Sequence, residues 1–502
     1  MFEDVQQPVC IVLAVRDGST GDDQPASVRF RELSEGVREA KFQELGALTL
    51  DDGGWRACPD EWQAPFAPAV EGRWASFPTL DDLLNWSGSG MMPGRTWVLA
   101  PDAETLHRRW NQLVSAKSGD KAALLSEHPR DRRVDTVLRD NLPGYPPTSV
   151  SIGEETGPCP DPVRIGYRSF DRQWIIPDKR VINQPNPTLW KVRSDQQVHL
   201  TALSRTSPTS GPAITFSALV PDLDHYKGSF GGRAYPMWLD QESNEPNARP
   251  GLLDVLGEHY DRELAGPDLF GYIAGICAHP SYTATFASDL ATTGIRVPLT
   301  ADRHLFRAVS ELGKRVIWLH SYGRRFVDED AERPRGAPRL PKEHAPRVAA
   351  SHPIPSDEER MPDRLGYDPQ ARRLHVGAGV IEHVTPRMWE YDVSEVNVLG
   401  KWFSYRRKTR DRPIMGARRV SSLLQVQSRT WQAEYTSDLI DLLNVLGLLA
   451  ELEPPQAELL DTVLAGPLVN GQDLPTATAQ FAGTSPGKRP ADSSEATTEP
   501  LF

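Results

Sequence analysis

Residues 167–190 concentrate side chains that could grip a polyanion. Arg168, Arg172, Lys179 and Arg180 are interleaved with Tyr167, Phe170, Trp174 and Trp190, and with the acids Asp171 and Asp178. A guanidinium pairs bidentately with phosphate oxygens or a guanine edge, and aromatic rings stack on bases or support an arginine from beneath. Arg168, Arg172, Trp174 and Arg180 are therefore candidate DNA contacts. Ile175 with Ile176, and Val181 with Ile182, read as two short strands around a turn at Pro177 and Asp178. The same composition also describes a core hairpin with buried rings and surface Arg–Asp pairs, and such pairs report little about function.

A second basic stretch lies at residues 401–419. Eight cations face one acid, Asp411, giving a local charge of +7 in a chain whose net charge is −12. Lys401, Arg406, Arg407, Lys408 and Arg410, interleaved with Trp402, are the candidate contacts, with a solvated basic loop as the competing reading. Gly88, Gly90 and Gly94 followed by Arg95 form a third feature. These glycines would let backbone approach a ligand, and Arg95 would meet a phosphate; an ordinary glycine-rich turn before a strand at residues 97–99 explains them equally.

Other chemistries lack their residues. The sequence contains no HExxH, G-x-S-x-G or Walker loop and no close Cys/His cluster, so no metal site and no catalytic residue is expected. The GxG at Gly377 and Gly379 reads as a hairpin turn rather than a cofactor loop. The twelve histidines are scattered and read as surface or satisfied core residues.

The elements that would position these groups follow from pattern. A chain of 502 residues accommodates two or three domains. Residues 9–15 are a continuous apolar run with the look of a buried strand in an α/β sheet. Thr79 and Asp82 have capping-box spacing at the head of a short helix. Residues 142–162, rich in Pro and Gly, read as an inter-domain linker, and residues 213–220 as a strand. Leu269, Tyr272, Ile273, Ile276 and Cys277 share one helical face. Leu305, Val309, Leu312, Val316 and Leu319 mark a long helix after Asp302. Residues 328–362 read as an exposed loop. Residues 439–452 read as a helix stopped by Pro454 and Pro455, and the chain beyond residue 471 as a disordered tail. Four separated cysteines, with no secretory signal and no membrane-length apolar run, point to a cytoplasmic protein without membrane contact.

Two phrases in the first basic stretch carry a family resemblance. Residues 167–174 (YRSFDRQW) and 184–190 (QPNPTLW) resemble, in order and at close spacing, the opening of the target-recognition domain in type ISP restriction–modification enzymes and related adenine-specific DNA methyltransferases. Phe2 to Ile11 resembles a phrase inside the methyltransferase domain of that family. Residues 87–97 resemble its Ser-Gly…Gly-Arg loop. The HPSY string at 279–282, the IRVPL string at 295–299 and the segments 388–391 and 398–403 resemble later parts of its specificity domain.

The resemblance implies an α/β chain: a partial methyltransferase-like region over 1–141, the linker at 142–162, and a mixed α+β specificity domain over 163–452. A C-terminal extension at 453–470 and the tail at 471–502 would follow. It implies sequence-specific recognition of double-stranded DNA. The family's cofactor loop and its Asn/Asp-Pro-Pro-aromatic tetrapeptide are not found; the nearest string, at residues 186–189 (NPTL), lacks the second proline and the aromatic. No cofactor is therefore expected on this chain, and S-adenosylmethionine is expected on a separate methyltransferase polypeptide. The alternative is a protein–protein adaptor or a decayed remnant in a phage-defence locus.

Overall fold

The computed structural model describes residues 10–15, 26–34, 38–58, 66, 72–125, 132–204, 206–290, 294–408 and 421–475. Arg410 and the other basic residues at 412, 418 and 419 lie outside the described residues, as do residues 476–502. The chain divides into two compact units, residues 1–75 and 76–502.

In the first unit, Arg29–Phe30 pairs antiparallel with Arg56–Ala57, and one helix spans Arg38–Ala47. The apolar run forms no strand over residues 10–15 and is exposed there; Leu13 is 86% and Val15 92% accessible. Apolarity marks a segment that needs a sheet on both sides, and the described part of this unit offers only a two-residue ladder.

The second unit begins with the capping box. Thr79 accepts from the Asp82 amide, the Asp82 carboxylate accepts from the Thr79 amide, and helix α1 spans Leu80–Leu83. Strands β1 (Gly88–Ser89) and β2 (Leu99–Ala100) lead to α2 (Ala103–Ser115). Residues 142–162 carry no helix or strand, yet Leu142, Ile152 and Cys159 are buried in the core. This segment is packed, not a free linker.

Strand β3 (Val163–Arg168) pairs antiparallel with β4 (Asp171–Ile175), and β4 pairs with β2. The hairpin of the first basic stretch therefore turns at Ser169 and Phe170, with Phe170 at φ 64°, and not at Pro177. Val181 and Ile182 are not in a strand: both amides donate to the Asp178 carbonyl, which winds the chain into a tight turn. Helix α3 (Pro187–Lys191) follows, then β5 (His199–Ala202), β6 (Thr215–Ser217) and β7 (Arg233–Pro236), joined in the sheet order β1-β7-β5-β6.

Helices α4 (Gly266–Cys277) and α5 (Arg303–His320) pack closely against each other. Glycine makes the contact: a Cβ at Gly313 would lie 1.7 Å from the Gly271 carbonyl oxygen, and one at Gly275 would lie 2.4 Å from that of Val309. Because the obstacle is backbone, Gly313→Ala is expected to destabilise the fold by about 3 kcal/mol or more, the upper end of overpacking costs. Thermal unfolding would show this as a drop of several degrees in Tm; an unchanged Tm would mean the helices separate freely.

Residues 328–362 are largely exposed but bury Arg333, Leu340, Ala349 and Met361. The GxG stretch is a hairpin, with Gly377 at φ 58° between Arg373–Val376 and Gly379–Glu382. Helix α6 (Val398–Ser404) precedes α7 (Ala433–Ala465). Pro454 and Pro455 do not stop α7, which runs through them. Its later turns are held by tertiary packing: Leu460 and Val463 are buried, and the Gln456 amide donates to the Ala274 and Gly275 carbonyls of α4. Order continues past residue 471, since Gly471–Asp473 forms a 3₁₀ turn and Leu474 is buried. Among the described residues no helix is long and apolar enough to cross a membrane.

Candidate nucleic-acid interface

Several of the cations singled out in the sequence serve the interior. Arg95 is fully buried and donates to the carbonyls of Leu125, Val181 and Arg132, so it ties loops together and cannot meet a phosphate from this position. Around it, Gly90 passes so close to the Asp222 backbone that a Cβ would lie 2.3 Å from its carbonyl oxygen. Gly94, at φ 74°, faces Asn183, and Gly88 lies against the Trp86 ring. The close approach expected of this loop is to protein.

Arg180 is buried in a fork against Asp178, with a further bond of 2.8 Å to Glu155. Arg406, fully buried, pairs with buried Asp171 at 2.7 Å and lies 4.0 Å over the Trp402 ring, itself buried. Arg180, Arg406 and Trp402, expected as DNA contacts, and Arg95, expected at a phosphate, are placed in this structure as supports of the fold. Arg95 is taken up by backbone carbonyls, Arg180 chiefly by Asp178 two residues away, and only Arg406 by an acid far off in sequence.

The remaining candidates are more accessible. Arg168 pairs with Asp222 and lies 3.9 Å over the Tyr167 ring. Lys401 meets it: Lys401 and Arg168 flank Gly228, and the Tyr167 and Tyr405 rings stand edge to face at 5.1 Å. Burial and the neighbouring Arg168 charge hold the Lys401 ammonium below its usual pKa. Arg407 is half-buried, and Lys408 is exposed, donating to the Glu359 carbonyl.

Arg172 stacks 3.8 Å over Tyr322 and pairs with Asp438 at 2.9 Å. Asp438 also takes Arg164 at 3.0 Å, while Glu434 pairs with Arg164 and accepts from the Trp174 indole at 3.1 Å. The first turns of α7 thus lay an acidic row along the β3–β4 hairpin.

Beside that hairpin opens a cleft of ≈ 1330 Å³. Its wall holds Arg164, Arg172, Arg193, Arg324, Arg325 and Arg335 against only Asp195 and Asp441, an excess of four positive charges. Arg193 lies over the Trp190 ring at 4.8 Å and bonds the Tyr145 hydroxyl. Arg325 donates to the carbonyls of Gln197 and Ser194. Arg324 and Arg335 are exposed, and their guanidinium groups make no hydrogen bond or ion pair with the described residues. Burial and then the Arg172 and Arg164 charges push the Arg324 guanidinium below its ordinary pKa, outweighing the opposing pull of Asp438 and Asp441. Of this wall, only Arg172 was among the sequence candidates. The signal for Arg324 was a Gly-Arg-Arg string directly after the long amphipathic helix α5.

Comparison with known proteins agrees with this architecture. The sequence profile of the Type ISP C-terminal specificity domain matches residues 82–442. No curated protein sequence matches the chain. Among solved structures, a DrdV–DNA complex aligns with a TM-score of 0.54 at 15% identity, covering 84% of this chain and 42% of that one. The ATP-dependent Type ISP restriction-modification enzyme LlaBIII bound to DNA aligns with a TM-score of 0.51 at 13% identity, covering 82% of this chain and 25% of that one. The chain therefore spans less than half the length of either solved chain. Its mixed helices and small antiparallel sheets are the fold of these structures, and with most of its length matched by the profile, the chain belongs to the Type ISP C-terminal specificity domain family.

Proposed function

We propose that this chain recognises a sequence in double-stranded DNA as the specificity part of a Type ISP-like restriction–modification or adenine-specific methyltransferase system. The observation that carries the reading is the cleft whose excess arginines include two, Arg324 and Arg335, with guanidinium groups that make no hydrogen bond or ion pair among the described residues. On a chain of net charge −12, such a concentration of cations suits a local polyanion site. Two of the similar solved structures, those of DrdV and LlaBIII, are complexes with DNA.

The methyl-transfer chemistry belongs, in this proposal, to a separate polypeptide that binds S-adenosylmethionine. The absence of an Asn/Asp-Pro-Pro-aromatic string from this sequence supports that division. The site of action would be the cytoplasm, in keeping with four unpaired cysteines.

The test is fluorescence anisotropy of the full chain with labelled duplex DNA over a range of salt concentrations. Binding is expected to weaken steeply with salt, with a log–log slope of about −0.9 for each phosphate neutralised. Absence of binding at low salt, with and without the catalytic polypeptide, would favour the adaptor reading.

A further inference from the structure

Resting on the DNA-recognition reading, we infer that Phe230 enters the base stack of the bound duplex, with Lys227 beside it against a flanking phosphate. Among the described phenylalanines of the second unit, Phe230 alone is exposed, at 56%. Its φ of 69° lies in the left-handed region that favours glycine. Phe170 and Phe326 share such angles, but Phe170 is buried and Phe326 half-buried. Burial of a ring offsets a strained backbone beneath it. At Phe230 neither burial nor backbone favours the residue, so its use lies outside the fold.

Contacts on both flanks hold the loop that carries this ring. The Asp224 carbonyl accepts from the Gly228 amide at 2.7 Å, and the Asp224 carboxylate accepts from the Gly231 amide at 2.9 Å. At the root, the Tyr226 hydroxyl donates to the Pro212 carbonyl at 2.6 Å, and the Tyr226 carbonyl accepts from the Ser169 hydroxyl at 2.8 Å. The ring also has cations around it. The Lys227 ammonium lies 5.5 Å from the ring centre, and its one hydrogen bond among the described residues is to the Ser394 hydroxyl at 3.3 Å. Arg168 and Lys401 flank Gly228, two residues away, and Lys401 makes no ion pair with the described residues. Arg168 also lines a small pocket shared with Arg172 and Arg324, so the loop is rooted beside the arginine cleft. Lysine is depleted where proteins bind proteins, so lysines around a projecting ring argue against a protein partner. A ring inserted at a base step, with phosphates on either side, uses both features.

The experiment selects a duplex from a randomised library with the full wild-type chain, then places 2-aminopurine, which brightens when unstacked, at each position in turn. The wild-type chain is expected to brighten the probe at one base step. F230A should abolish that signal and weaken binding roughly ten-fold, whereas F230L, which still offers an apolar wedge, should keep most of both. The ring is exposed, so both variants are expected to keep the wild-type circular dichroism and Tm. K227A should lower the salt slope by about one, and an unchanged slope would take Lys227 off the phosphate. Unaltered binding and probe signal with F230A would overturn the inference. So would a loss of affinity with no step brightened by the wild-type chain, which would place the ring outside the stack. If F230A bound DNA normally but no longer associated with the catalytic polypeptide, Phe230 would be a protein contact and the inference would again be overturned. If the wild-type chain enriched no duplex, the recognition reading itself would fall.

Discussion

Between pH 7 and about pH 5 the folded chain is expected to lose on the order of 5 kcal/mol of stability, through histidines that cannot take up a proton inside. His199, His225, His279 and His320 are all buried. Desolvation pushes their pKa values down from the ordinary 6.5, to about 4 for His199 and His279 and about 3 for His225 and His320. For His225 the Arg168 charge and the two neighbouring imidazoles add to the effect. A group whose folded pKa is depressed leaves stability untouched above its unfolded pKa. Stability then falls as pH drops from there toward the folded value. At about pH 5 each histidine contributes about 2 kcal/mol of loss, from roughly 1.4 kcal/mol per pH unit. The carboxyls of Asp222 and Glu453 oppose this, since burial raises the pKa of each despite a neighbouring arginine; they are two groups against four. Carboxylates such as Asp302, held low by backbone amides of α5, titrate only in more acid solution. Urea unfolding at stepped pH would measure the slope. His320→Asn should remove about one proton from it, because an Asn oxygen can replace Nδ1 as acceptor for the Phe216 amide. A flat profile from pH 7 to 5 would show that these imidazoles reach water.

How much of this molecule could be read from its sequence depends on the range of the cause. The capping box at Thr79, helices α4 and α5 and the hairpin at Gly377 arise from contacts within a few residues, and the sequence pattern locates each of them. Pro454 and Pro455 misled because a local rule was overruled from outside: Gln456 is anchored on α4, far away in sequence. The basic stretches misled for a similar reason. Arg172 and Asp438 are 266 residues apart, and nothing in the local pattern around Arg172 announces the acid that occupies it. Arg324 and Arg335 stand in a stretch, residues 324–335, whose four arginines are matched by four acids, so charge counting passes over it. An unpaired cation is defined by the acids missing from its surroundings in space, and those become visible only once the helices are packed.

Arg406 and Asp171 make the sharpest case, and their disruption carries the largest expected effect of any single substitution in the basic stretches. Their side chains are 0% and 2% exposed, and the pair links the end of α6 to the first residue of β4. Arg406 also donates to the Trp402 carbonyl, and its guanidinium faces the rings of Trp402 and Tyr435. Asp171→Ala would leave the guanidinium buried without its counter-charge, at a cost of about 3–5 kcal/mol. An isosteric apolar pair faces no such penalty, because removing both charges also removes both desolvation terms. The double variant Asp171→Leu with Arg406→Met should therefore recover most of the loss in denaturant unfolding. On the DNA-recognition reading, its affinity for duplex DNA should stay near wild type, since Arg406 does not reach solvent. Loss of DNA binding by a double variant of restored stability would instead place Arg406 on the DNA, through a rearrangement that frees it from Asp171. A charge reversal at Arg406 could not separate these outcomes, because it would put two carboxylates together in the core. The substitution that removes both charges can, because it separates support of the fold from contact with the ligand.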